Sequence, residues 1–172
     1  DFEVVSLKAG DEVVGVAQGG DAEELVFVTS DAQLLHFAAS QVRPQGVAAG
    51  GMAGINLGTR ATAIFFGSVD PGSDVSVVTI STPLDTLPGS DPGRGKVSAL
   101  SEFPGKGRAT GGVRAHAFLK GESALALAWV GPAPALALGA DGAVRTLPPS
   151  GAKRDASGTP LDGVIGSVGR AL

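Results

Sequence analysis

Between Arg94 and Lys120 the chain carries six basic residues, Arg94, Lys96, Lys106, Arg108, Arg114 and Lys120, against a single acid, Glu102. In the middle of that window, "PGKGRATGGVR", the bases are interleaved with glycines. Glycine removes the Cβ atoms that hold a backbone away from a surface, arginine offers two parallel donors, and lysine offers a point charge. Together they suit contact with a phosphate-bearing polyanion. The spacing is neither Gly-x-Gly-x-x-Gly nor Gly-x-x-x-x-Gly-Lys-Ser/Thr, and no helical pattern follows, so a nucleotide pocket is not expected.

Other chemistry has few residues to work with. His36 and His116 are the two histidines, and there is no Cys and no Tyr. No Gly-x-Ser-x-Gly supports a hydrolytic triad, and a catalytic zinc would need both histidines and a carboxylate to converge. Sites for catalysis, metal and cofactor are therefore all read as none. His116 is expected on a strand face beside Arg114, extending the basic patch, and His36 is expected to be an ordinary strand residue. Trp129, Phe27, Phe37, Phe65, Phe66 and Phe118 read as core, which leaves no aromatic platform for single-stranded nucleic acid.

The charge is unevenly distributed. The net charge is −4, which argues against a protein whose whole surface grips nucleic acid. Asp1 to Glu24 holds seven acids and one base, Lys8, and the Arg94–Lys120 window reverses the sign. The lack of cysteine fits a reducing compartment, and the start at "DFEVV" suggests a piece of a longer protein. Ser123 to Ala140 is uncharged, but Pro132 and Pro134 interrupt it, so it reads as two strands and a turn rather than a membrane span.

The elements that must position the basic window are strands. Gly 27 and Pro 11 leave little room for a helix of ordinary length, and the segments between them are short and rich in Val, Ile, Leu, Phe and Thr. Leu25–Val28 is a continuous apolar run, as in strands buried on both faces. "GGVRAHAF" alternates, with Val113, Ala115 and Ala117 on one side and Arg114, His116 and Phe118 on the other. The chain also repeats itself. "ELVFVTSDAQLLHF" (24–37) aligns residue for residue with "PALALGADGAVRTL" (134–147), and "SVVTISTPLDTL" (76–87) is a weaker third copy. A Ser-led polar loop, a Gly-Gly pair and a strand follow the first copy, in "GMAGINL", and recur in "GGVRAHAF". Closing strands are "ATAIFFGSV", "SALALAWV" and "DGVIGSV", and the opening "DEVVGVA" (11–17) matches them. Units of roughly 45 to 60 residues with four strands each are propeller-type blades. The expected division is 1–20, the tail strand of a preceding blade, then blades at 21–70, 71–131 and 132–172.

This pattern resembles the C-terminal domain of the A subunit of bacterial DNA gyrase and topoisomerase IV. The residues that carry the likeness are "FVTSDAQLLHF" followed by "SQV" and Gly-Gly, "SEFPGKGRATGGVRA", and the Asp-led "DEVVGVA" and "DGVIGSV". The resemblance implies an all-β β-pinwheel, a propeller-like ring in which neighbouring blades exchange a strand. It also implies a non-catalytic role in binding and bending double-stranded DNA. The other partners it implies are an ATPase B subunit, together with the rest of the A subunit, in the cytoplasm on the nucleoid. ATP and magnesium would act in the holoenzyme, and the absent tyrosine places cleavage outside this stretch. The Gln-Arg-Arg-Gly-Gly-Lys-Gly box with which gyrases wrap DNA chirally does not occur here. It would lie upstream, or the parent would be of the topoisomerase IV type. A bias to Ala, Gly, Val and Arg, with Asn56 the one asparagine, looks actinobacterial.

On this resemblance the expected DNA contacts are Arg43, Arg94, Lys96, Lys106, Arg108, Arg114, Lys153 and Arg154. Arg43 and the Lys153-Arg154 pair join because they occupy the equivalent loops of the other two blades. The rival class is a propeller-type protein interaction module, and a propeller hydrolase is a weaker third. DNA binding requires the basic residues to share one rim, whereas a peptide-binding module allows them to scatter.

Overall fold

A computed structural model describes residues 4–83 and 90–171. The chain forms eleven strands and two single 3-10 turns, at Ala39–Gln41 and Leu100–Glu102, among the described residues. No helix there is long and apolar enough to cross a membrane.

The first repeat opens with β1 (Glu24–Thr29) and β2 (Gln33–Ala38), a hairpin whose turn is built by Thr29. The Thr29 hydroxyl donates to Asp31 Oδ1 at 2.5 Å and accepts the Gln33 N–H at 3.0 Å. Ala32 sits in the left-handed region at φ 61°, the conformation Gly142 adopts at φ 77° in the aligned third-repeat turn. Alanine tolerates it because Thr29 and Asp31 fix the turn from both sides. β3 (Ala63–Val69) then pairs antiparallel with β1.

The second repeat supplies β4 (Val75–Pro83) and β5 (Arg94–Ala99), and after a long loop β6 (Val113–Arg114) and β7 (Glu122–Pro132). The third supplies β8 (Ala135–Leu138), β9 (Val144–Arg145), β10 (Thr159–Pro160) and β11 (Ser167–Arg170). Sheet membership crosses the repeats. The sheets run β3-β1-β2-β6, β10-β5-β4-β7 and β11-β8-β9, all antiparallel. β6 thus leaves its own repeat to complete the first sheet, and β10 does the same for the second.

β4 is buried along most of its length because it lies between two cores. Val75 and Val77 face the first, with Val26, Val28, Leu34, Leu100, Phe103, Leu125 and Val130. Val78 and Ile80 face the second, with Val97 and Leu161 and, packed around them, Trp129, Leu147 and Val168. The period-2 pleat delivers alternate side chains to opposite sheets, so one strand unites both cores. Trp129 is half-buried here, in a packing role.

Several expected strands differ. Residues 11–17 form no strand. They pass β3 so closely that a Cβ on Gly15 would lie 2.9 Å from the Phe66 carbonyl oxygen, yet they form no ladder with it, and Val13, Val14 and Val16 remain exposed. The expected tail strand at 1–20 is therefore absent among its described residues. The "GMAGINL" segment is also irregular. In the weaker copy, β4 pairs with β5 at 94–99. The second strand expected near 84–87 lies outside the described residues.

Candidate nucleic-acid interface

The loops of the first and second repeats meet through backbone contacts. Asn56 N–H donates to Thr110 O at 2.9 Å, and Lys106 N–H donates to His36 O at 3.2 Å. Arg108 secures the junction: its Nη1 donates to Ala53 O at 2.7 Å and its backbone N–H to Gln41 Oε1 at 3.4 Å. Arg43, two residues beyond Gln41, is exposed, and its N–H contacts Met52 Sδ at 3.4 Å. Lys106 folds back on its own loop, Nζ to Gly112 O at 3.2 Å, with its side chain exposed.

A further contact reaches the third repeat. Arg114, exposed on β6, is held against Gln33 of the first sheet, and its carbonyl accepts a 3.4 Å contact from Arg154 Nη1. Lys153 is exposed beside it. Hydrogen bonds thereby tie together the segments that carry Arg43, Lys106, Arg108, Arg114, Lys153 and Arg154 in three repeats. Arg108 and Lys106 use only part of their donor capacity on carbonyls, and the remaining N–H groups are available to an anion.

Two of the expected contacts are placed differently. Lys96 is not on the surface. It lies on β5 with 2% of its area exposed, and its ammonium donates to Lys153 O at 2.8 Å and to Arg154 O. Burial pushes its pKa down to about 8, against the raising influence of the Asp155 carboxylate. Arg94 begins the same strand. Its Nε donates to Gly158 O at 3.0 Å and lies 4.0 Å from Glu122 Oε1, so much of its charge is already committed. Both sit in a strand because the partner of β4 is 94–99.

His116 also departs from the basic patch. β6 ends at Arg114, so the alternation stops there and Ala115 and His116 are both buried. Gly158 N–H donates to His116 Nε2 at 3.2 Å, so Nδ1 carries the proton and donates to Thr79 Oγ1 at 2.9 Å. Burial first, and the nearby Lys96 charge second, push its pKa down to about 4. His36 is on β2 as expected and also bridges repeats, with Nδ1 2.6 Å from Glu24 Oε2 and Nε2 2.9 Å from Phe103 O.

The glycines divide into two kinds. A Cβ on Gly107 would meet nothing within 4 Å, so that position is open to a ligand. Gly112, at φ 73°, would place a Cβ 2.4 Å from Leu34 O. It is glycine because β6 must dock on β2. Among the described residues, no group of three or more His, Cys, Asp or Glu converges as a metal site.

Three antiparallel sheets joined by exchanged strands define a propeller-type domain of the pinwheel class. The family described as "DNA gyrase C-terminal domain, beta-propeller" matches residues 23–69 and 89–123. In sequence, the chain is 27% identical over 128 residues to the topoisomerase protein TopoM of Mycolicibacterium smegmatis, covering 72% of this chain and 16% of that protein. It is 30% identical over 111 residues to the DNA gyrase A protein of Deinococcus deserti, covering 63% and 13%. In structure, it matches the C-terminal domain of DNA topoisomerase IV with a TM-score of 0.76 at 24% identity, covering 96% of this chain and 51% of that one. It matches the E. coli ParC C-terminal domain at 0.69 and 19% identity, covering 96% and 67%. The resemblance read from the repeats is borne out: this chain is similar to the C-terminal β-pinwheel domains of gyrase and topoisomerase IV, in sequence over those segments and in fold over nearly its whole length. It spans under a fifth of the length of the curated relatives it matches.

Proposed function

We propose that the chain is the non-catalytic, double-stranded DNA-binding and bending module of a type II topoisomerase, carried on its A subunit. In this reading it presents a DNA segment to a gate formed elsewhere in the enzyme. Its partners are an ATPase B subunit, together with the rest of the A subunit, while ATP and magnesium are used outside it. The observation that supports it is that hydrogen bonds tie the segments carrying Arg43, Lys106, Arg108, Arg114, Lys153 and Arg154 to one another across three consecutive repeats. A run on successive blades can follow a curved phosphate backbone, and such contacts give affinity without base readout.

The test is fluorescence anisotropy on a duplex of a few tens of base pairs over a salt series, with a Lys106→Ala/Arg108→Ala/Arg114→Ala variant alongside. Affinity that falls with salt, and drops at least tenfold in the variant, is expected. A rival reading, a protein-contact module, draws on the exposed apolar segment that includes Val4, Val5, Val13 and Val16. Failure to bind duplex even at low salt would favour it.

A further inference from the structure

Lys96 is an unusual choice for an interior strand position. A buried ammonium needs hydrogen-bond partners, and here two successive backbone carbonyls, of Lys153 and Arg154, accept from two of its three N–H donors. Those residues belong to the following repeat, and their side chains supply the third-repeat charges of the basic surface. The loop is tied to the second repeat at other points as well. Ala152 N–H donates to Val97 O, and Ala117 N–H to Ala156 O, each at 3.1 Å, and Gly158 N–H reaches His116. An apolar side chain could fill the same volume, but only a donor group can draw two adjacent carbonyls to one point. With both peptide oxygens turned inward, the Lys153 side chain stands out in solvent and Arg154 is left against Arg114 O.

We infer that Lys96 is a positioning residue: its buried ammonium sets the conformation of the 153–158 loop of the next repeat, so a charge hidden from solvent decides where two surface charges stand. The consequence for DNA rests on the function proposed above.

The test compares Lys96→Met, the double variant Lys153→Ala/Arg154→Ala and their combination, all in the 172-residue chain. Amide hydrogen exchange at Ala156 and Gly158 should rise at least tenfold in K96M while the amides of β1 and β2 stay unchanged. With a duplex of about 30 base pairs, K96M should flatten the slope of log affinity against log salt by up to about 1.8, two contacts at about 0.9 each. Added to the double variant, it should change nothing further. Unaltered exchange and slope in K96M would overturn the inference. So would an equal loss of affinity when Lys153 and Arg154 are already gone, since Lys96 would then act independently of them. If the parent chain binds no duplex at low salt, the DNA reading is what fails, and amide exchange alone judges the strut. Should K96M not fold, the lysine ammonium spectrum of the ¹⁵N-labelled wild type decides: slowly exchanging Lys96 NH₃⁺ protons are expected, and exchange as fast as that of exposed lysines overturns it.

Discussion

His116 makes a residue-scale prediction whose sign can be worked out. Its pKa is lowered from 6.5 to about 4 in the fold, so between those values the unfolded chain binds the extra proton and the folded chain does not. Stability therefore rises with pH across that window, is fully present above 6.5, and is lost as pH falls towards 4. At 1.36 kcal/mol per pH unit the ceiling is about 3 kcal/mol. Urea unfolding at pH 7 and pH 4.5 should show the wild type losing more than His116→Gln, whose amide can accept from Gly158 and donate to Thr79 without titrating. Gly112 makes the second. Gly112→Ala combines a positive φ with a Cβ 2.4 Å from the Leu34 carbonyl oxygen, and backbone there cannot swing aside. A loss of about 2–4 kcal/mol is expected by chemical denaturation. Gly107→Ala, which meets open space, should cost under about 1 kcal/mol.

At the scale of elements, the exchanged strands are short and depend on what anchors them. β10 pairs only Thr159 with Gly95 and Pro160 with Arg94. The next residue, Leu161, fastens it, with its N–H to Gly93 O at 3.0 Å and its side chain buried with Val78, Ile80 and Val97. Leu161→Ala should cost about 2–4 kcal/mol in urea unfolding, and should raise amide exchange on β5 more than on β1. The β1–β2 and β8–β9 hairpins were legible from the chain alone, because short apolar runs, a turn containing Asp31 or Asp141 and identical spacing lie within a few residues of one another. The partner of β4 was not. Ser76–Leu87 resembles a hairpin, but the pairing strand begins at Arg94, and only register and shared burial select it.

For the whole molecule, the acidic N-terminal region and the basic surface make binding strongly conditional. The surface run offers six cations, Arg43, Lys106, Arg108, Arg114, Lys153 and Arg154, since Lys96 is interior and Arg94 is engaged by Glu122. If each meets a phosphate, log affinity falls with log salt with a slope no steeper than about −5. A titration from low to physiological salt checks this, and a steeper slope would mean that further cations take part.

Much of the architecture is readable in the sequence. The period-2 patterns, the glycine and proline punctuation and the aligned repeats specify a strand-rich chain of blade-like units, because these signals are local and recur. The basic window was equally plain, since composition alone reverses its sign. What only tertiary structure decided was which bases reach solvent. In sequence Lys96 and His116 read as part of the surface, yet their environment is built by a loop about 40 to 60 residues further on. Burial is a property of what the rest of the chain lays over a residue, and strand exchange brings that cover from the next repeat, where no local pattern announces it.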